Sequence, residues 1–243
     1  MAGKSSEGAD STPGENLEEI VYRTLKGAII GHRLSPGAPL AEAEVAEALK
    51  VSRTPVRSAF RRLADEGLVT WRRRKGATVA HATAGEIKDV FYVRRLLEAA
   101  SAELAAGKAT PRDIEELEGY VALEVEAFRR KDVEGVLAAG RRFHDAVGRM
   151  SGNSVLASMI SIVVAKSYVH LIFYDAFDSP EPRSPGEHRR IIEALRKGDA
   201  EEARRAMEAH VRSSEDYLDL ALYLRPRDVA SALSGDGRAE REV

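Results

Sequence analysis

Apolar residues recur at helical spacing along most of the chain, and the pattern changes character once. Between Leu17 and Gly31, the residues Ile20, Val21, Leu25 and Ile29 share one face, which predicts a first helix. Pro36 and Gly37 break it, and a short second helix is expected over Glu42 to Leu49 with Val45, Ala46 and Leu49 turned inward. Ser52 then stands in an N-cap position before a third helix carrying Val56, Ala59, Phe60 and Leu63 on one face, and Gly67 ends it. Leu68 to Arg73 and Ala77 to Ala80 are strand-like runs around Arg74-Lys75-Gly76, so a hairpin closes the segment. Two helices, a turn, a third helix and a hairpin make a winged helix-turn-helix.

From about residue 85 onward the helical period runs without strands. Six helices are expected, over about 85–107, 111–130, 132–151, 154–177, 186–197 and 199–224, punctuated by Thr110-Pro111, Asp132, Gly152-Asn153, the proline-bearing loop 179–186 and Gly198-Asp199. Their short connections predict antiparallel neighbours. The fold class is therefore mainly α: an N-terminal winged helix-turn-helix domain plus a C-terminal antiparallel six-helix bundle. Residues 1–16 read as a disordered tail, 17–80 as the winged module, 81–84 as a linker, 85–225 as the helical domain and 226–243 as a mobile tail.

Composition narrows the chemistry. Apolar residues are 44% and charged residues 31% of 243, as in ordinary globular chains. With no cysteine, disulfides, thiolate metal sites and thiol nucleophiles are excluded. The N-terminus has no apolar signal-peptide core, and the most apolar stretch, Val155 to Tyr174, is interrupted by Lys166 and His170, so a cytoplasmic protein with no membrane partner is expected. The net charge is −2, yet residues 51–80 hold eight Lys/Arg against two Asp/Glu. That local excess is the footprint of a nucleic-acid-binding face.

Arg53, Thr54 and Arg57 lie at the start of the third helix, away from its apolar face, where a helix entering the major groove presents side chains to base edges. Arg pairs bidentately with guanine, worth ~1–3 kcal/mol of discrimination, and Thr reaches a base edge, a thymine methyl or a phosphate. Arg72, Arg73, Arg74 and Lys75 form a charge run at the hairpin, where Gly76 permits close backbone approach to phosphate or the minor groove, and Trp71 packs under the hairpin. Residues 18–80 resemble the DNA-binding domain of the GntR family of bacterial transcription regulators, through YRTLKGAIIGHRLSPGAPL, VSRTPVRSAFRRLADEGLV and RRRKGATV. The helical remainder is similar to the FCD effector domain of the FadR subfamily in its six-helix form. The resemblance implies that Arg53, Thr54 and Arg57 contact DNA and that Lys75-Gly76 is the wing tip. Two positions depart from the family: Ala43 stands where Arg is frequent, and Ser58 where Glu is common.

The helical domain offers a second constellation. His144, His188 and His210 each adjoin an apolar stripe on a different helix, so all three are expected to face inward, either as hydrogen-bonded core residues or as ligands. The resemblance favours ligands, because many FCD domains bind a divalent metal through Asp-x-x-x-His on one helix and one His from each of the last two. RFH, EHRRII and MEAHV match the histidines, but the Asp position is Gly140, and Asp145 is rotated about 100° away. Three histidines suit zinc or a similar ion with positions open for water or an effector carboxylate. Arg94 lies on the stripe Ile87, Val90, Phe91 and Leu97, where an unpaired guanidinium is costly; its anion is either Glu98 or a carboxylate effector. Tyr168, His170 and Tyr174 either line a cavity or fill it.

The expected function is a metabolite-responsive, homodimeric transcription regulator, a repressor released from operator DNA by a small organic acid, and not an enzyme. Two alternatives stay open at this point: a metal-dependent enzyme with an accessory DNA-binding domain, and an architectural DNA-binding protein without a ligand.

Overall fold

Helix α1 (Leu17–Ile30) buries Val21, Tyr22, Leu25, Ala28 and Ile29, the spacing of one helical face. Ile20 is displaced from that face and lies exposed, with Tyr22 taking the inward position. In the computed structural model, residues 17–72, 76–174, 183–218 and 229–233 are described. The tail 1–16 falls outside them, as do Arg73, Arg74 and Lys75.

After α1 the chain turns through Gly37, at φ 77, into a two-residue strand, β1 (Pro39–Leu40). The short helix α2 (Glu42–Ala48) follows, and Lys50 at φ 55 makes the turn into α3 (Arg53–Asp65). Ser52 holds the N-cap position with extended backbone, but its side chain makes no capping hydrogen bond. The inward side of α3 is Val56, Ala59, Phe60 and Leu63. Gly67 at φ 77 then reverses the chain into β2 (Val69–Arg72), which pairs antiparallel with β3 (Gly76–Val79) in the register Trp71↔Ala77. Pro39 and Leu40 add a third strand on the other edge of β3, giving the order β1-β3-β2. Two residues are too few to show alternation, which is why this strand is not visible in the sequence pattern.

The chain divides into two compact units, residues 1–79 with 226–243 and residues 80–225. A mobile tail was expected over 226–243, but its residues 229–233 form helix α10 (Val229–Leu233), which packs on α2 and α1. Val229, Ala232 and Leu233 are buried, and Arg33 donates to the Ala232 carbonyl at 2.9 Å. Five residues carry little local signal; contacts with α2 and α1 and the Arg33 hydrogen bond hold them.

The second unit contains six helices among the described residues: α4 (Ala84–Ala106), α5 (Pro111–Arg129), α6 (Val133–Met150), α7 (Ser154–Tyr174), α8 (Ser184–Lys197) and α9 (Ala200–Asp216). Capping boxes start α4, through Thr83 and Glu86, and α5, through Thr110 and Asp113. Asp132 and Asp199 cap α6 and α8's successor α9, while Gly198 in the left-handed region ends α8. Helix α4 runs through the middle, packed on α9, α7 and α6, and α5 closes over α6 and α8. Phe91, Leu117, Phe143, Ile160, Val164, Ile191, Met207 and Val211 form the core. Ser154–Phe173 is also long and apolar enough to cross a bilayer by length and composition, with a mean hydropathy of 1.8 and 22% of the window buried.

Candidate functional site

In the first unit, burial of Val56, Ala59, Phe60 and Leu63 against α1 and the sheet leaves Arg53, Thr54 and Arg57 exposed at the start of α3. The Arg57 Nε donates to Glu42 at 2.7 Å, an exposed pair of small worth that a stronger anion can displace. Gly76, the first residue of β3, is exposed at φ 83, a conformation that favours glycine and leaves bare backbone at this end of the strand. Trp71 is half-buried, with the Arg61 guanidinium over its ring at 5.4 Å.

In the second unit, α6, α8 and α9 bring His144, His188 and His210 together, all buried, with one donor atom from each lying within 4.8 Å of the others. Each ring is backed by a carboxylate on another helix. The His188 Nδ1 meets Glu124 of α5 at 2.9 Å, the His210 Nδ1 meets Glu187 of α8 at 2.8 Å, and the His144 Nδ1 lies against Glu98 of α4. An ionised carboxylate only accepts, so the bonds to Glu124 and Glu187 assign the ring proton of His188 and His210 to Nδ1, and the Glu98 carboxylate beside His144 Nδ1 favours the same tautomer there, which leaves Nε2 as a lone pair. The Nε2 atoms of His144 and His210 then face one another at 3.2 Å, an arrangement that repels unless a cation sits between them. Two nitrogens about 2.1 Å from one ion lie roughly 3.0–3.4 Å apart at octahedral to tetrahedral angles. The residues present therefore fit a divalent metal.

Arg94 is 1% exposed, and its anion is Glu98: Nε donates to Oε1 at 2.6 Å, while Nη1 donates to Ser167 Oγ at 3.0 Å. Its Nη2 lies 3.4 Å from His144 Nε2, beside the point where the imidazoles converge. Burial raises the Glu98 carboxyl, but the charges of Arg94 and His144 outweigh it and hold it down to about 2. A cavity of about 130 Å³ opens onto the histidines, lined also by Arg94, Gly140, Tyr168 and Tyr217. His170 is buried but does not line it, and the Tyr174 side chain lies outside the described residues. Asp145 pairs with Arg141 at 3.6 Å and takes no part in the cluster.

Burial lowers the His144 imidazole below its usual 6.5 and, with the His188 and His144 charges, lowers His210 well below it. In the window between those folded values and 6.5 the unfolded chain binds more protons, so stability rises with pH. Each such group contributes at most about 1.4 kcal/mol per pH unit. Glu98 adds nothing there, because its stabilisation is lost only below 4.5; Glu187, raised by burial, acts in the opposite sense just above 4.5. Chelator-stripped protein is thus expected to lose stability as pH falls from 7.5 toward 5.5, and denaturant titrations giving a flat profile would contradict neutral buried imidazoles.

Comparison with known proteins gives the chain's kinship. Residues 17–79 match the bacterial regulatory proteins of the gntR family, and residues 89–213 match the FCD domain. The HTH-type transcriptional repressor RspR of Escherichia coli (strain K12) is 29% identical over 208 residues, 85% of this chain and 90% of that protein. A probable D-xylose utilization operon transcriptional repressor of Paenarthrobacter nicotinovorans is 32% identical over 179 residues, 74% of this chain and 78% of that one. The crystal structure of a putative GntR transcriptional regulator from Rhodococcus sp. RHA1 superposes with a TM-score of 0.59 at 25% identity, covering 82% of this chain and 95% of its own. A winged module ahead of an FCD domain, in a chain that aligns with 78–95% of the length of these relatives, makes the chain a member of the GntR family of bacterial regulatory proteins.

Proposed function

We propose that the chain is a ligand-responsive repressor of transcription that works in the cytoplasm as a homodimer on operator DNA. The observation that carries the reading is the division of α3: its apolar side is sealed into the module, while Arg53, Thr54 and Arg57 are exposed at its leading end, Arg57 held only by the exposed Glu42. In this reading those three enter the major groove, and Gly76 with Arg73, Arg74 and Lys75 follows the adjacent phosphates or minor groove. The relatives named as repressors support the sign of regulation.

The rear module is the sensor. His144, His188 and His210 hold a divalent metal, zinc or a similar ion, which supplies positive charge and open positions for oxygen donors. Arg94, fixed by Glu98 and Ser167, presents Nη2 to a small carboxylate effector bound beside it. Such a ligand acts only through its differential affinity for two arrangements of the dimer. Val155, Met159 and Ile162 form an exposed stripe on α7, and Tyr92 and Leu96 another on the adjoining α4. Pairing of two copies through these stripes supplies the two recognition helices that a pseudo-palindromic site needs. Against the enzyme alternative stands the engagement of the carboxylates that line the cavity among the described residues: Glu124 and Glu187 each meet a histidine Nδ1.

Arg53→Ala and Arg57→Ala should each weaken binding to the intergenic DNA beside the chain's own gene by ~1–3 kcal/mol, with circular dichroism unchanged. Fluorescence anisotropy at physiological salt reads the loss. Wild-type affinity in both variants would overturn the assignment of α3 as the recognition helix.

A further inference from the structure

Residue 140 stands one turn before His144 on the same face of α6, and it has no side chain. A Cβ placed there would meet the Tyr168 hydroxyl oxygen at 3.0 Å, tighter than ordinary van der Waals contact. Tyr168 reaches this point from α7, and both residues line the cavity that holds the three histidines. A phenol from a different helix thus occupies the space that a side chain at 140 would take.

The two groups are not equivalent. A carboxylate at 140 would add a negative charge and a fourth protein oxygen beside the histidines, whereas a phenol is neutral, and burial pushes the Tyr168 hydroxyl well above 10, so it keeps its proton. Tyr168 makes no hydrogen bond among the described residues, which leaves its proton available to a ligand in the cavity. Three imidazoles without a carboxylate also leave an ion one more open position and more positive charge to balance. A ligand carrying only a carboxylate leaves that position to solvent. A ligand with a second oxygen next to its carboxylate closes a chelate, and the second oxygen meets a donor instead of a repelling carboxylate.

We propose that Gly140 and Tyr168 form a specificity subsite, in which the Tyr168 hydroxyl donates to the second oxygen of a chelating carboxylate of the 2-hydroxy- or 2-oxo-acid class. The inference rests on the three-histidine metal reading above. Glycolate and acetate differ by the one hydroxyl that matters, and Co²⁺ bound to the full chain reports their binding through its visible absorption. Tyr168→Phe should leave Co²⁺ and acetate affinity within about twofold while lowering the glycolate-to-acetate preference about 3- to 10-fold, the loss of one hydrogen bond. Gly140→Ala, which pushes the phenol aside, should move the preference the same way. An unchanged preference in Tyr168→Phe overturns this subsite alone. Failure of the wild type to bind Co²⁺ overturns the metal reading and the subsite together.

Discussion

Glu98→Ala is expected to destabilise the rear module by about 3–5 kcal/mol, because it strands a buried cation. Arg94 and Glu98 side chains are 1% and 2% exposed, and Glu98 accepts from two Arg94 nitrogens while lying against the His144 Nδ1. Removing the carboxylate leaves the guanidinium with Ser167 as its remaining acceptor apart from the His144 ring, in a site too dry to solvate it. For a chain of this size the loss corresponds to a Tm lowered by about 6–20 °C, read by calorimetry on the rear-module transition. Replacing the pair together, Arg94→Met with Glu98→Leu, should cost much less, since two apolar groups need no partner. If Glu98→Ala melts with the wild type, the guanidinium is solvated and the ion pair does not hold the rear module together.

This pair shows where sequence reading succeeds and where it stops. A charge on an apolar stripe announces that a partner exists, and Arg94 was recognisable on that ground; which anion answers it depends on packing, and Glu98 one turn on does so. The same logic holds on α5, where Glu124 stands three residues after Val121 and seven after Leu117 on the inward face. Glu187 offered no comparable signal, since its neighbour His188 claims the inward position and the carboxylate reaches His210 from the side. Each histidine could be put on an inward stripe from periodicity, but their meeting is a property of three helix crossings. The front module was legible because Gly67 and the apolar face of α3 encode its turn and its packing locally, whereas β1 and α10 exist only through partners distant in sequence. Tyr168 over Gly140 belongs with these: nothing in either segment names the other.

The second large effect concerns the histidines themselves. His144→Ala, His188→Ala or His210→Ala should each lower Zn²⁺ affinity by at least about 100-fold, more than the 10–100-fold typical of losing an outer-sphere partner. Competition with a chromophoric chelator measures it, with helicity checked by circular dichroism. Glu124→Gln separates the two layers of the site. A glutamine oxygen still accepts the Nδ1 proton of His188 and keeps the ring oriented, but it no longer makes the ring more basic, so the loss should stay within about 10–100-fold and below that of His188→Ala. Equal losses would mean that Glu124 is itself a ligand and that His188 turns Nδ1 toward the ion. Unchanged affinity in all three histidine variants would mean that the 3.2 Å approach of His144 and His210 is relieved by a proton instead of a metal.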